Sequence, residues 1–164
     1  NGGGWFWRAG EDDMLFEPEE LLERYYTSVG SNSNLLIGMV IDDRGLVPDA
    51  DVEQFTAFGK LTKERFQNPL AKAGGEGTEI TFCFAQPTVM NHVMIMEDIA
   101  RGERIREYVI EARVNGEFQT ICTGFSVGHK RIERFDDVEV TGVRLRILKR
   151  TEMPAVRQFA VFKI

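Results

Sequence analysis

The sequence has 164 residues, which suits one medium-sized domain or one domain with a piece of another. Hydrophobic residues make up 43% and charged residues 28%, values typical of a globular protein. The net charge of −6 argues against a nucleic-acid partner and against attachment to an anionic membrane. No apolar run approaches the roughly 18 residues that span a bilayer.

The first part of the chain follows helical periods. One helix is predicted to begin with Pro18 at its first position, with acidic residues in its first turn, and to end at Gly30. A second helix is predicted over residues 51–66, where Asp51 and Gln54 are spaced like a capping box. We expect its apolar face to form a seam with the rest of the chain through Phe55, Phe58 or Phe66.

Between the two helices lies a short and nearly continuous apolar run. Residues 34–40 read NLLIGMV, which predicts a strand buried on both faces. An order of aromatic segment, helix, buried strand and helix is typical of the closing units of a parallel α/β structure. Such a strand needs neighbours on both edges. We therefore expect the chain to be the C-terminal part of a longer polypeptide.

After Pro69 the hydrophobic period becomes two. Asn115-Gly116 joins two of the resulting strands and is a strong hairpin signal. Short strands of this kind predict an antiparallel sandwich or jelly roll. Residues 70–78, which read LAKAGGEGT, are predicted to form a linker or surface loop. The predicted strands are TEITFCF, HVMIME, EYVIEARV, EFQTICTG, VEVTGVRLRIL and VRQFAVFKI.

The cysteines and histidines lack the spacing of metal ligands. Cys83 and Cys122 fall in strand-like sequence and are predicted to be buried free thiols, with a disulfide as the alternative. His92 and His129 lie on separate strand segments, without a carboxylate or cysteine at metal-ligand spacing. No metal site and no cofactor are predicted.

Several polar residues are expected to serve structure rather than chemistry. Turns and caps are the expected role of Asn32 and Asn34. A loop ion pair and turn is expected from Asp42, Asp43 and Arg44.

Two long stretches together carry a family resemblance. GWFWRAGEDD, followed by EELLERYYTSVGSNSNLLIGMVIDDRGLVPDADVEQFTAFGK, resembles the end of the catalytic barrel in α-L-fucosidases, family 29 of the glycoside hydrolases. MEDIARGERIREYVIEARVNGEFQTICTGFSVGHKRIERF resembles the discoidin-like, galactose-binding-type sandwich that follows the barrel in many members. The similarity covers nearly the whole chain in the same order. Residues 38–41 depart from the family pattern, which has an asparagine and prolines there.

The resemblance implies an α+β chain with two parts. Residues 1–67 would be the C-terminal remnant of the catalytic (β/α) barrel, contributing its terminal βα units. Residues 68–164 would be an antiparallel β-sandwich, a galactose-binding-like jelly roll. The discoidin-like pattern implies a structural strand for the basic residues of GHKRIERF: Lys130, Arg131 and Arg134. We expect the sandwich to support the barrel. A carbohydrate-binding role for its loops is the alternative.

The resemblance also implies an activity, the removal of terminal α-L-fucose from glycoconjugates with retention of configuration. Such chemistry uses two carboxyl groups about 5 Å apart. In the family both precede the aromatic triplet, so no catalytic residue is expected in this chain. A solvated loop or a helix-leading charge cluster is predicted instead for Glu11, Asp12 and Asp13. The alternative is that one of them borders a subsite for the leaving-group sugar. The implied partners are a fucosylated glycan and the remainder of the barrel, and the implied location is the periplasm, the cell surface or the lysosome.

The aromatic triplet at residues 5–7 contains the candidate substrate-binding residues. A tryptophan ring offers a flat, rigid surface to the C–H faces of a sugar. By the family pattern Trp5 lies at the C-terminal end of a late barrel strand, where barrel active sites are built. Trp5 is therefore expected to contact fucose, Trp7 is a weaker candidate, and Phe6 is expected in the core. The alternative is that both tryptophans only fill the barrel end.

A second class of function stays open at this stage. The chain could be a non-catalytic carbohydrate-binding module of the discoidin type. The first 66 residues favour the enzyme, since a free sandwich module would not need them.

Overall fold

The computed structural model describes residues 6–164, and of Asp13 the backbone alone. Two α-helices precede six antiparallel strands, and no described helix is long and apolar enough to cross a membrane. Short 3-10 turns lie at Asp12–Met14 and Ile99–Arg101. The elements are α1 (Pro18–Thr27), α2 (Asp49–Phe66), β1 (Ala71–Glu76), β2 (Glu79–Glu97), β3 (Ile105–Val114), β4 (Glu117–Gly124), β5 (Arg131–Arg150) and β6 (Ala155–Phe162).

The strands form a sandwich of two half-sheets. The two long strands, β2 and β5, each contribute to both half-sheets. The hydrogen-bonded order is β1-β6-β2-β5-β3-β4. β6 pairs with β2 along the later part of β2 alone, and β3 pairs with β5 along the later part of β5 alone. The ring of Phe82, early in β2, stacks on Phe159 of β6 with centroids 5.3 Å apart. The two half-sheets therefore face each other, which confirms the predicted antiparallel sandwich.

The interior between the half-sheets is apolar because alternate residues of each strand point inward. Tyr108, Ile110, Leu145 and Phe159 are fully buried there. The predicted hairpin between β3 and β4 is confirmed. Its two turn residues have φ values of 52° and 90°, the left-handed conformation that an Asn-Gly turn supplies.

Both helices pack on the outer face of one half-sheet. Tyr26 of α1 and Phe66 of α2 contact each other and the sheet, and Phe66 meets Phe162 of β6 edge to face at 5.5 Å. Phe58 joins the same cluster. The predicted seam is thus confirmed for Phe58 and Phe66, whereas Phe55 faces a groove described below.

The start of α1 was predicted correctly from the sequence, and the start of α2 was not. α1 begins at Pro18 as predicted, and the Glu17 N–H donates to the Glu20 carboxylate at 3.0 Å. α2 begins two residues earlier than predicted, after Pro48, and has no side-chain cap. The capping box assigned to Asp51 is wrong because that residue lies inside the first turn.

The predicted strand at residues 34–40 is absent from the structure. No residue of this segment lies in a strand, and Leu36 in its middle is 94% exposed. Its backbone pairs with no neighbouring strand among the described residues. Burial on both faces requires such neighbours, so the strand prediction is wrong for this chain.

The predicted linker at residues 70–78 contains a strand instead. β1 pairs with β6, and a Cβ added to Gly74 would lie 2.6 Å from the carbonyl oxygen of Arg157. The glycines that suggested a linker therefore allow a close approach of two backbones. The division at residues 67 and 68 stays a prediction.

The cysteine prediction is correct on redox state and wrong on burial. Cys83 and Cys122 are both free, but Cys83 is exposed and Cys122 is half-buried. Strand alternation explains the exposure of Cys83, since Phe82 and Phe84 on either side of it pack into the interior. Burial, followed by the charge of Glu133, raises the pKa of the Cys122 thiol to about 11.

Candidate functional site

The predicted sugar-contacting residues lie at one edge of the helical part of the chain. Trp5 is outside the described residues. Trp7 is half-buried and lines an open cavity of about 450 Å³. Phe6 borders the same cavity and is 83% exposed, so its predicted place in the core is wrong. It lies in a bend rather than in a strand, so strand alternation does not turn it inward. The cavity lining is Phe6, Trp7, Met39, Val40, Ile41, Asp42 and Asp43.

One wall of this cavity is fixed by a buried carboxylate in the loop before α2. Asp42 accepts hydrogen bonds from the N–H groups of Arg44 and Leu46 at 2.9 and 3.1 Å. It also pairs with the Arg44 guanidinium at 2.6 Å. That guanidinium, with the backbone N–H groups, holds the pKa of the Asp42 carboxyl below its usual range. The predicted ion pair and turn are confirmed.

Three carboxyl groups line a small cavity together with Trp7: those of Glu11, Asp12 and Asp51. Asp51, in the first turn of α2, is buried, and burial with the nearby charge of Asp12 raises its pKa. Glu11 is half-buried and pairs with Arg8 at 3.6 Å, while Asp12 is exposed. Sequence reasoning missed the place of Asp51 here. An acid in the first turn of a helix is ordinary, so no signal distinguished it.

A larger apolar groove of about 550 Å³ adjoins the Trp7 cavity. It runs between α1, α2 and residues 35–40. Phe55, which was expected at the seam, lines this groove. Leu36 and Met39 of that segment line the groove and are exposed, as is the neighbouring Ile41. This edge therefore presents exposed apolar surface along the groove.

The polar residues expected to be structural do connect the helices and loops to the sandwich. Asn32, at a positive φ of 61°, accepts from the His129 N–H at 2.7 Å and donates to Glu103 at 3.3 Å. Lys130 donates to the Tyr25 hydroxyl at 2.8 Å. Asn34 is exposed, and its cap role stays a prediction.

Two arginines of β5 also make structural contacts. Arg134 donates to Glu23 of α1 at 2.5 Å, and its guanidinium lies 4.3 Å from the centre of the Tyr26 ring. Arg131 pairs with Glu133 on its own strand at 2.8 Å. The predicted place in a structural strand is confirmed for both arginines, whereas Lys130 immediately precedes β5.

The histidines occupy separate places. His92 is buried under α1, and His129 is exposed in the loop between β4 and β5. Among the described residues, no three His, Cys, Asp or Glu side chains are grouped to hold a metal ion.

Comparison with known proteins defines the class to which this fold belongs. A scan against protein-family models found no match. The chain is 27% identical to a candidate α-L-fucosidase 1 of Oryza sativa subsp. japonica, over 97% of this chain and 37% of that protein. It superposes on a candidate α-L-fucosidase of Bacteroides thetaiotaomicron VPI-5482 with a TM-score of 0.95 and 37% identity, over all of this chain and 38% of that one.

A third comparison supplies the family designation. A glycoside hydrolase 29 family member from an unknown rumen bacterium matches with a TM-score of 0.84 and 30% identity, over 97% of this chain and 31% of that one. The chain belongs to the α-L-fucosidases of glycoside hydrolase family 29, as a C-terminal part of such a protein. It spans less than two fifths of the length of each of these three relatives.

Proposed function

We propose that the protein containing this chain is an α-L-fucosidase that hydrolyses terminal α-L-fucose from glycoconjugates with retention of configuration. The observation that carries the proposal is the likeness along the entire chain to a candidate α-L-fucosidase, at 37% identity and a TM-score of 0.95. Because the chain spans 38% of that protein, the activity is proposed for the whole protein. This stretch contributes a wall of the sugar site.

The catalytic carboxyls are proposed to come from outside these 164 residues. Retaining hydrolysis needs a nucleophile and an acid/base about 5 Å apart on either side of the scissile bond. Near Trp7, Glu11 is engaged by Arg8 and Asp12 faces solvent. A supporting role at the rim of the site fits both.

The substrate wall is proposed to be aromatic. Trp5 would contact the fucose ring or its methyl group, and Trp7 would contribute more weakly. The half-buried position of Trp7 beside an open cavity supports its part of the proposal. A rigid ring presents a large apolar face at little conformational cost, which suits a sugar with a methyl substituent.

The exposed side of residues 35–41 is proposed to pack against the remainder of the catalytic barrel. Leu36, Met39 and Ile41 are exposed in this segment. A neighbouring strand from the barrel would bury these apolar side chains, which is favourable. α1 and α2 rest on the sandwich through Tyr26 and Phe66. The sandwich is accordingly proposed to support the barrel end.

Turnover by the full-length protein tests the proposal. An aryl α-L-fucoside should be hydrolysed, and the matched aryl β-L-fucoside should not. Fucose binding in the same preparation, mapped to the loops of the sandwich without any turnover, would instead support the non-catalytic binding module.

The stereochemical course is a separate prediction. A retaining enzyme forms and then hydrolyses a covalent intermediate, so α-L-fucose should be the first product. Proton NMR of the anomeric signals, recorded before mutarotation equilibrates them, measures this directly. Initial release of β-L-fucose would contradict the retaining mechanism while leaving the fucosidase activity in place.

A further inference from the structure

A buried histidine lies at the contact between the helical pair, α1 and α2, and the sandwich. His92, on β2, is only 8% exposed. Its ring lies 5.7 Å from the ring of Tyr26 on α1, centre to centre. The imidazole Nε2 is 3.2 Å from the Tyr26 hydroxyl, and Nδ1 is 2.8 Å from the side-chain oxygen of Asn91. Both ring nitrogens are therefore engaged within the interface.

The neighbouring amide fixes which nitrogen carries the proton. Asn91 Oδ1 accepts from the N–H of Ile164 at 2.9 Å, while Nδ2 donates to the carbonyl of Ile164 at 2.7 Å and to Asp137 at 2.9 Å. Since Oδ1 is an acceptor, Nδ1 of His92 must be the donor. Nε2 is then unprotonated and accepts from the Tyr26 hydroxyl. A second proton would enter at Nε2 and remove that acceptor.

The charges around His92 disfavour the protonated ring. The carboxylates nearby are already paired, Glu23 with Arg134 at 2.5 Å and Asp137 with Lys163 at 2.7 Å. Burial first, and then the three nearby cations, lower the pKa of His92 to about 4. The titratable and charged groups that face it are Tyr26 and Glu23 of α1, Arg65 of α2, Arg134 and Asp137 of β5, and Lys163 of the C-terminal residues.

We propose that His92 is an acid-sensitive latch between the helical pair and the sandwich. The neutral ring bridges Tyr26 and Asn91 and holds the helices on the sheet. The protonated ring loses its acceptor and meets cations, so the helices loosen while the sandwich core stays formed. The latch rests on contacts within this chain and does not depend on the proposed fucosidase activity.

The direction and size of the effect follow from the two protonation states. When the helices separate from the sheet, His92 regains its ordinary pKa of 6.5, whereas docked it titrates near 4. The docked state is thus fully favoured above pH 6.5, and docking weakens as the pH falls from 6.5 towards 4. Each unit in that window costs a factor of about ten, so docking should weaken on the order of 50- to 100-fold between pH 7 and pH 4.5.

Hydrogen exchange in the full-length protein, followed by mass spectrometry, tests the latch. Rates are compared at pH 7 and pH 4.5 after correction for intrinsic exchange. Peptides from α1 and α2 should lose protection at the lower pH relative to peptides from β3. His92→Gln should abolish most of this difference, because the amide oxygen can accept from Tyr26 and does not titrate. His129→Gln, at the exposed histidine, is the matched control and should behave like the parent.

Two results would overturn the latch. One is a helix-to-β3 ratio of protection that does not change with pH in the parent protein. The other is a pH dependence that persists in His92→Gln. Should His92→Gln fail to fold, nitrogen NMR of the parent imidazoles decides. The latch requires an Nδ1–H tautomer for His92 and titration well below pH 6.5, and titration at or above pH 6.5 contradicts it.

Discussion

Replacement of Glu97 by alanine is expected to lower the free energy of unfolding by about 3–5 kcal/mol, a large part of the stability of an ordinary domain. The carboxylate, at the end of β2, is 1% exposed. It accepts hydrogen bonds from the backbone N–H groups of Arg104, Ile105 and Gly128 at 2.7, 3.0 and 2.8 Å. Alanine would leave these buried donors without a partner, and each unpaired donor costs about 1–3 kcal/mol.

Urea denaturation of the parent and the variant measures this prediction. Glu64→Gln is the matched control, because Glu64 is exposed on α2 and its pair with Lys60 is long, at 3.9 Å. The control should change stability by less than about 0.5 kcal/mol. Equal stabilities for Glu97→Ala and the control would show that Glu97 does not join the loops at this end of the sandwich.

Replacement of Trp5 by alanine in the full-length protein is expected to lower kcat/KM by roughly 10- to 150-fold. The physical reason is the loss of one large apolar contact with the sugar, worth about 1.5–3 kcal/mol. Trp7→Ala is the matched comparison. Trp7 is half-buried beside Val40 and Asp51, so its loss should affect melting temperature more and kcat/KM less.

Kinetics with an aryl α-L-fucoside and thermal melting of both variants measure this pair of predictions. Wild-type kcat/KM in Trp5→Ala would remove Trp5 from the sugar site. Loss of activity only in proportion to loss of folded protein would assign it a packing role.

Elements set by neighbouring residues were predictable from the sequence. The turn at Asn115 and Gly116 depends on two residues that tolerate positive φ, and it forms where expected. The start of α1 at Pro18 depends on the fixed φ of proline and is likewise as predicted. The inward or outward direction of most strand residues follows from alternation alone.

Elements set by distant partners were not predictable in the same way. β1 is rich in glycine and has weak strand propensity, yet it pairs with β6 near the other end of the chain. Residues 34–40 have strong strand composition and form none, because strand formation needs pairing partners. The burial of Glu97 depends on three backbone amides that only the fold brings together.

The candidate site was likewise predictable only in part. The aromatic triplet was identified through a family resemblance, and the structure places Trp7 at an open cavity. The buried Asp51 beside it was missed, because an acidic residue in the first helical turn has an ordinary explanation.

The measurement that most directly tests the account is trapping of the covalent intermediate in the full-length protein. The carboxylate nucleophile displaces fluoride from C1 of a 2-deoxy-2-fluoro-L-fucosyl fluoride, the fluoride ion leaves to solvent, and a slowly hydrolysed glycosyl-enzyme remains. Peptide mass mapping should find a single fucosyl adduct, on a carboxylate outside residues 1–164, together with loss of activity. An adduct on Glu11, Asp12 or Asp51, or turnover that continues without any adduct, would contradict the role proposed for this chain.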